Sequence, residues 1–135
     1  MDIKTQLHNK AVQALAHAHS PYSKKQVGAA ILMDDGKMYS GCNIENASYG
    51  GTVCAERVAI WKAISESKSR HIVEVVVVTD AIDPWPPCGM CLQVIAEFAD
   101  PEQTLVHTAN PNLIKKTFRF KDLLPEAFNS KFLKP

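Results

Sequence analysis

Thr52-Val53-Cys54-Ala55-Glu56-Arg57 and, further along, Pro86-Pro87-Cys88-Gly89-Met90-Cys91 are the stretches from which this 135-residue chain is read. Each opens an apolar, helix-periodic segment, so each cysteine group stands at the head of a predicted helix. Cys88 and Cys91 are three apart and share one side of a helical turn. A C-x-x-C pair alone fits either zinc or a redox disulfide. Cys54 brings a third thiolate from the other helix and leaves a fourth tetrahedral position open, the pattern of catalytic zinc. Cys42, in a predicted strand beside a polar loop, is the one other cysteine that a structural four-ligand site could recruit.

Glu56 adds a constraint. Residues i and i+2 of a helix face different ways, so Cys54 and Glu56 cannot both reach a metal beside the helix. They can reach one lying off the helix N-terminus. The expected arrangement is zinc between two facing helix ends, with Glu56 moving a proton from water to a substrate nitrogen. Both helix ends favour thiolates. Three thiolates on Zn²⁺ leave one negative charge, which Arg57 is placed to offset.

Working outward, Ile3–His19 reads as a helix with Leu7, Ala11, Ala14, Leu15 and Ala18 on one face. His17 and His19 point apart on such a helix, so the N-terminal histidines are expected to be solvated or capping. Gln26–Met33 and Met38–Asn43 form a predicted hairpin around Asp34-Asp35-Gly36-Lys37. Gly41 predicts a close backbone approach or a bulge. Residues 44–51 are a polar loop suited to a substrate lip. Thr52 is the expected N-cap of a helix over Val53–Ser67, whose inner stripe is Val58, Ala59, Ala63 and Ile64. Ile72–Thr79 is nearly all β-branched and predicts a central strand buried on both faces. Cys88–Phe98 is the next helix, Gln103–Thr108 and Ile114–Phe120 are strands, and Lys121–Leu124 is one helical turn. Pro125–Pro135 is a tail. Strand–helix–strand crossovers in this order predict an α/β fold with a mixed sheet and helices on both faces. One domain over 1–135 is expected.

Composition narrows the function classes. Hydrophobic residues are 46% and charged residues 21%, in the range of globular domains. A net charge of +1 removes the electrostatic case for nucleic-acid or membrane binding. The apolar run Val75–Val78 is far too short to span a bilayer, and Met1-Asp2-Ile3-Lys4 has no signal-peptide core, so a cytoplasmic location is the default. Four cysteines clustered in a reducing compartment point to metal or catalysis rather than to bridges.

Cys54-Ala55-Glu56 and Pro87-Cys88-Gly89-Met90-Cys91 resemble the signature of the zinc-dependent deaminases of nucleobases. With Val27-Gly28-Ala29-Ala30 and Gly41-Cys42-Asn43-Ile44-Glu45-Asn46-Ala47, the chain is similar to the small, homotetrameric, three-cysteine class of cytidine deaminases from about Pro21 to Pro125. The resemblance implies a three-layer α/β/α cytidine deaminase-like fold with a mixed five-stranded sheet. It implies one Zn²⁺ per chain on Cys54, Cys88 and Cys91, and Glu56 as the proton shuttle in hydrolytic attack on C4 of cytosine. Cytidine or 2′-deoxycytidine would become uridine or 2′-deoxyuridine with loss of ammonia, in pyrimidine salvage. Asn43 and Glu45 would bind the ribose, and backbone around Ala55 and near Pro86 the base. Phe128 would reach a neighbouring subunit's site in a tetramer. Four features depart from the family pattern: Lys25 where a phenylalanine is usual, Leu92 where an arginine is usual, the stiff Trp85-Pro86-Pro87, and the small Gly50-Gly51. These leave the chemistry intact and alter the pocket walls. A modified aminopyrimidine nucleoside, N4-substituted or blasticidin-like, is therefore a second substrate class. A zinc-stabilised binding domain without catalysis is a third reading, set apart by having no use for Glu56.

Overall fold

Four consecutive valines, Val75–Val78, give a strand no polar face, and the chain buries it in the middle of a sheet. The computed structural model describes residues 1–134. Its elements are α1 (Ile3–Leu15), β1 (Val27–Met33), β2 (Met38–Cys42), α2 (Ala55–Glu66), β3 (Ile72–Thr79), α3 (Gly89–Phe98), β4 (Leu105–Ala109), β5 (Ile114–Arg119) and α4 (Phe120–Leu123). Short 3₁₀ turns occupy Tyr49–Gly51 and Ser130–Leu133. The strands lie in the order β2-β1-β3-β4-β5. β3 and β4 are parallel and the other pairs antiparallel, so the sheet is mixed as expected.

Alternate residues of the central strands feed two cores. Ala30, Leu32, Val76 and Val78 meet Leu7 and Ala11 of α1 on one face. Ile31, Met33, Val75 and Val77 meet Ala59, Ile60, Leu92 and Ile95 of α2 and α3 on the other. Burying one aliphatic side chain contributes about 1.5–3 kcal/mol, so these two layers hold the helices firmly on the sheet. The result is a three-layer α/β/α architecture.

Gly41 is a true point of close approach: a Cβ there would lie 2.6 Å from the Ala55 carbonyl and 2.7 Å from the Ala59 nitrogen. That contact presses the first turn of α2 onto β2. Gly28 does the same for α1 on the opposite face, with a Cβ 2.1 Å from the Ala11 carbonyl. In the β1–β2 hairpin, Gly36 takes a φ of 85°, the left-handed conformation that the Asp-Gly signal anticipates.

Several boundaries move. α1 stops at Leu15 rather than His19, because His19 leaves the helix to bond the loop after β2: its N–H donates to Asn43 O, and Glu45 N–H donates to its carbonyl. Of the N-terminal histidines, His8 contacts the Asn110 carbonyl through Nε2 at 2.8 Å. Thr52 does not cap α2. Its hydroxyl accepts from Asn46 N–H, and Cys54 occupies the N-cap position with extended backbone. Cys88 is likewise the N-cap residue of α3. On α2 the fully buried stripe is Ala55, Glu56, Ala59, Ile60 and Ala63, with Ile60 in the place expected for Ile64. β4 begins at Leu105, since Asp100–Thr104 forms a turn held by Thr104. Among the described residues no helix is long and apolar enough to cross a membrane.

Candidate active site

β1 runs opposite to both its neighbours, with Gly28 opposite Cys42 and Val27 opposite Thr79. The carboxyl ends of β2 and β3 and the start of β1 therefore meet at one edge of the sheet. The ends of parallel strands, beside helix N-termini, are where α/β folds gather ligands. A cavity of about 320 Å³ opens there, lined by Ser23, Lys25, Asn43, Glu45, Glu56 and Trp85 together with Cys54 and Cys88.

The first-turn geometry of α2 and α3 explains the cysteine cluster. N-cap side chains at Cys54 and Cys88 project past the helix ends, and Cys91 sits one turn into α3. The three sulfurs lie within 4.8 Å of one another, with Cys54 and Cys88 Sγ 3.7 Å apart. Sulfurs at about 2.3 Å from a tetrahedral zinc lie about 3.8 Å apart, so the donor set fits the ion in chemistry and in spacing. Cys42 is not in the cluster, and all four cysteines are free.

The groups around Cys54 favour a thiolate at that sulfur. Hydrogen bonding from Cys91, aided by Arg57 and Cys88, holds the Cys54 thiol down to about 5. Cys91 moves in the opposite direction, because it holds the shared proton against Cys54 and is buried. Arg57 donates through Nη2 to Cys54 Sγ at 3.4 Å and lies 6.0 Å from the Trp61 ring. Its Nε is the one buried side-chain polar atom without a partner among the described residues.

Glu56 is 3% exposed and borders the same cavity. Burial pushes its carboxyl up to about 7. A carboxyl that gains and loses a proton near neutrality is suited to proton transfer.

At the opposite side, Asn43 and Glu45 stand at the end of β2. Asn43 accepts from Val27 N–H and donates to the Lys25 carbonyl, both at 2.8 Å. Glu45 accepts from Tyr22 N–H at 3.0 Å, Ser23 N–H at 3.1 Å and the Ser23 hydroxyl. These bonds keep its carboxyl below the usual range, the Ser23 hydroxyl contributing most. Both side chains thus brace the Tyr22–Val27 segment as well as facing the cavity. Ala55 lines the cavity too. Phe128 does not: it is 54% exposed, its ring 5.7 Å from that of Phe132. Ser23 and Thr79 carry no role in the sequence reading. Ser23 meets Glu45 across 22 residues, a pairing no local pattern reveals. Thr79 has a visible signal, as the first polar residue after the valine run.

Residues 1–108 match the family described as the cytidine and deoxycytidylate deaminase zinc-binding region. The chain belongs to that family. It is 49% identical over 121 residues to a cytidine deaminase of Halalkalibacterium halodurans, covering 90% of each chain. It is 44% identical over 133 residues to one from Sporosarcina psychrophila, covering 98% of this chain and 96% of the relative. The crystal structure of cytidine deaminase from Burkholderia pseudomallei superposes with a TM-score of 0.86 at 38% identity, over 95% of this chain and all of that one.

Proposed function

We propose that this chain, acting as a single domain, hydrolyses cytidine and 2′-deoxycytidine to uridine and 2′-deoxyuridine with release of ammonia. The observation that carries this is the convergence, at one cavity edge, of three sulfurs within 4.8 Å and one buried glutamate. Cys54, Cys88 and Cys91 hold Zn²⁺, which when bound supplies the Lewis acidity that makes water nucleophilic at neutral pH. Glu56 takes one proton from the attacking water and delivers it to N3 of the pyrimidine, then takes the remaining proton of the added hydroxyl and delivers it to the amine, which leaves as ammonia. Its burial keeps bulk water from competing for these protons. Arg57 offsets the surplus negative charge of three thiolates.

At the other end, Glu45 and the remaining Nδ2 hydrogen of Asn43 bind ribose hydroxyls, and backbone at Ala55 holds the base. The chain works as a homotetramer in which Phe128 closes a neighbouring subunit's site. Phe128, Phe132 and Leu133 are 54%, 70% and 75% exposed on one C-terminal segment, apolar surface that calls for a cover. The test is incubation of the zinc-loaded protein with cytidine. Uridine and ammonia appearing one for one is the expected outcome; intact cytidine after prolonged incubation overturns the proposal.

A further inference from the structure

Ser23 joins the turn before β1 to the loop after β2. Its hydroxyl donates to Glu45 Oε2, and its N–H donates to Glu45 Oε1 at 3.1 Å. The same hydroxyl oxygen accepts from Lys25 N–H at 3.1 Å. A serine hydroxyl has one hydrogen to give, and with Lys25 N–H on its lone-pair side that hydrogen is directed at Glu45. The bend that returns Lys25 N–H to Ser23 is at Lys24, whose φ is 63°. Lys24 is the one non-glycine residue in the left-handed region among those described, and such a conformation persists only where its surroundings enforce it. Its own N–H is held by the Ser20 carbonyl at 3.0 Å. The turn is thus built to present Ser23 to Glu45.

The acceptor sites of Glu45 are nearly all taken. A carboxylate offers about four lone-pair sites, shared equally by its oxygens. Tyr22 N–H at 3.0 Å and Ser23 N–H at 3.1 Å fill Oε1. The Ser23 hydroxyl takes half of Oε2 and leaves a single site on that oxygen. Ser23, Asn43 and Glu45 all border the large cavity.

We propose that Ser23 is the positioning residue of the sugar end, fixing the Glu45 carboxylate so that its one free acceptor site receives a C2′ or C3′ hydroxyl. The inference rests on the deaminase function proposed above, which sets a ribose against Glu45. Ser23 acts through Glu45 and needs no contact with the substrate. The Ser23 hydroxyl is also the largest cause of the lowered Glu45 carboxyl, which keeps that group an acceptor at neutral pH. A carboxylate held in advance gives up little rotamer freedom when the sugar arrives, so it adds affinity. The sugar does not react, so the gain is the same for bound substrate and transition state, and its loss falls on KM rather than on kcat.

The experiment measures KM and kcat for cytidine, and calorimetric binding of uridine and 2′,3′-dideoxyuridine, on zinc-loaded wild type, Ser23→Ala and Ser23→Thr. Ser23→Ala should raise KM about 3–10-fold and leave kcat within about twofold. It should weaken uridine by a similar factor and leave 2′,3′-dideoxyuridine unaffected, because that ligand has no ring hydroxyl for Glu45. Ser23→Thr keeps the hydroxyl and should restore the wild-type values. Ser23→Gly also lacks the hydroxyl and takes the place of Ser23→Ala should that variant not fold. An equal loss for both ligands overturns the inference, since it shows that the substitution only loosens the Tyr22–Val27 segment. So does an unchanged KM in Ser23→Ala, or Ser23→Thr behaving as Ser23→Ala. Any of these beside normal turnover of cytidine by the wild type overturns the Ser23 inference alone. Absence of turnover by the wild type overturns the deaminase function and the inference with it.

Discussion

Glu56 concentrates the chemistry in one side chain. Its burial and its place at the cavity edge beside the cysteine cluster match one demand, a proton held close to a reacting water. Glu56→Gln keeps the shape and loses the base, so kcat should fall about 10²–10⁴-fold while bound zinc stays at one per chain. Metal analysis beside steady-state kinetics checks this; equal loss of zinc and activity would assign Glu56 a structural role. Glu45 gives a pH prediction. Its carboxyl lies below the usual 4.5 because Ser23 donates to it. A depressed carboxyl stabilises the fold fully above about pH 4.5 and loses that contribution as pH falls through the lower folded value. Ser23→Ala should return the Glu45 carboxyl toward 4.5 in an NMR titration. The melting difference between variant and wild type should be largest above pH 4.5 and shrink in acid. An unchanged titration would contradict the Ser23–Glu45 bond.

Elements carry the precision of the site. Cys54 and Cys88 meet because α2 and α3 both begin at the same sheet edge, and α2 is seated by Gly41. A methyl at Gly41 would strike the α2 backbone, so Gly41→Ala should destabilise by about 1–3 kcal/mol and lower zinc affinity together. Denaturant unfolding with zinc titration checks it; a neutral effect on both would mean that α2 is free to shift. Much of this was legible in the sequence. The valine run marked the central strand, Asp-Gly marked the hairpin, and the i, i+2 geometry of Cys54 and Glu56 pointed to the helix starts where the three cysteines gather. What was not legible depends on contacts between distant segments. α1 ends early because His19 bonds residues 43–45, and Thr52 is drawn to Asn46 rather than to the helix start. Ser23 reaches Glu45 for the same kind of reason, and Lys25 acquires its place from Asn43.

For the whole molecule, the half-exposed Phe128 makes sense beside a second copy of the chain. In a shared site, a subunit with Phe128→Ala and one with Glu56→Gln complement each other, since one supplies Glu56 and the other Phe128. Mixed and reassembled, the two weak variants should regain a substantial fraction of wild-type activity, and their mixture should run as a tetramer in light scattering. Activities that merely average would place each site within one chain. Zinc dependence of turnover is the most direct test of the central claim, that Cys54, Cys88 and Cys91 hold the ion that makes this chain a cytidine deaminase. Preparations carrying graded zinc, from chelator-stripped to saturated, are assayed on cytidine. The rate should rise in proportion to bound zinc and level off at one zinc per chain. Full turnover by the stripped protein, or none by the saturated one, would contradict it.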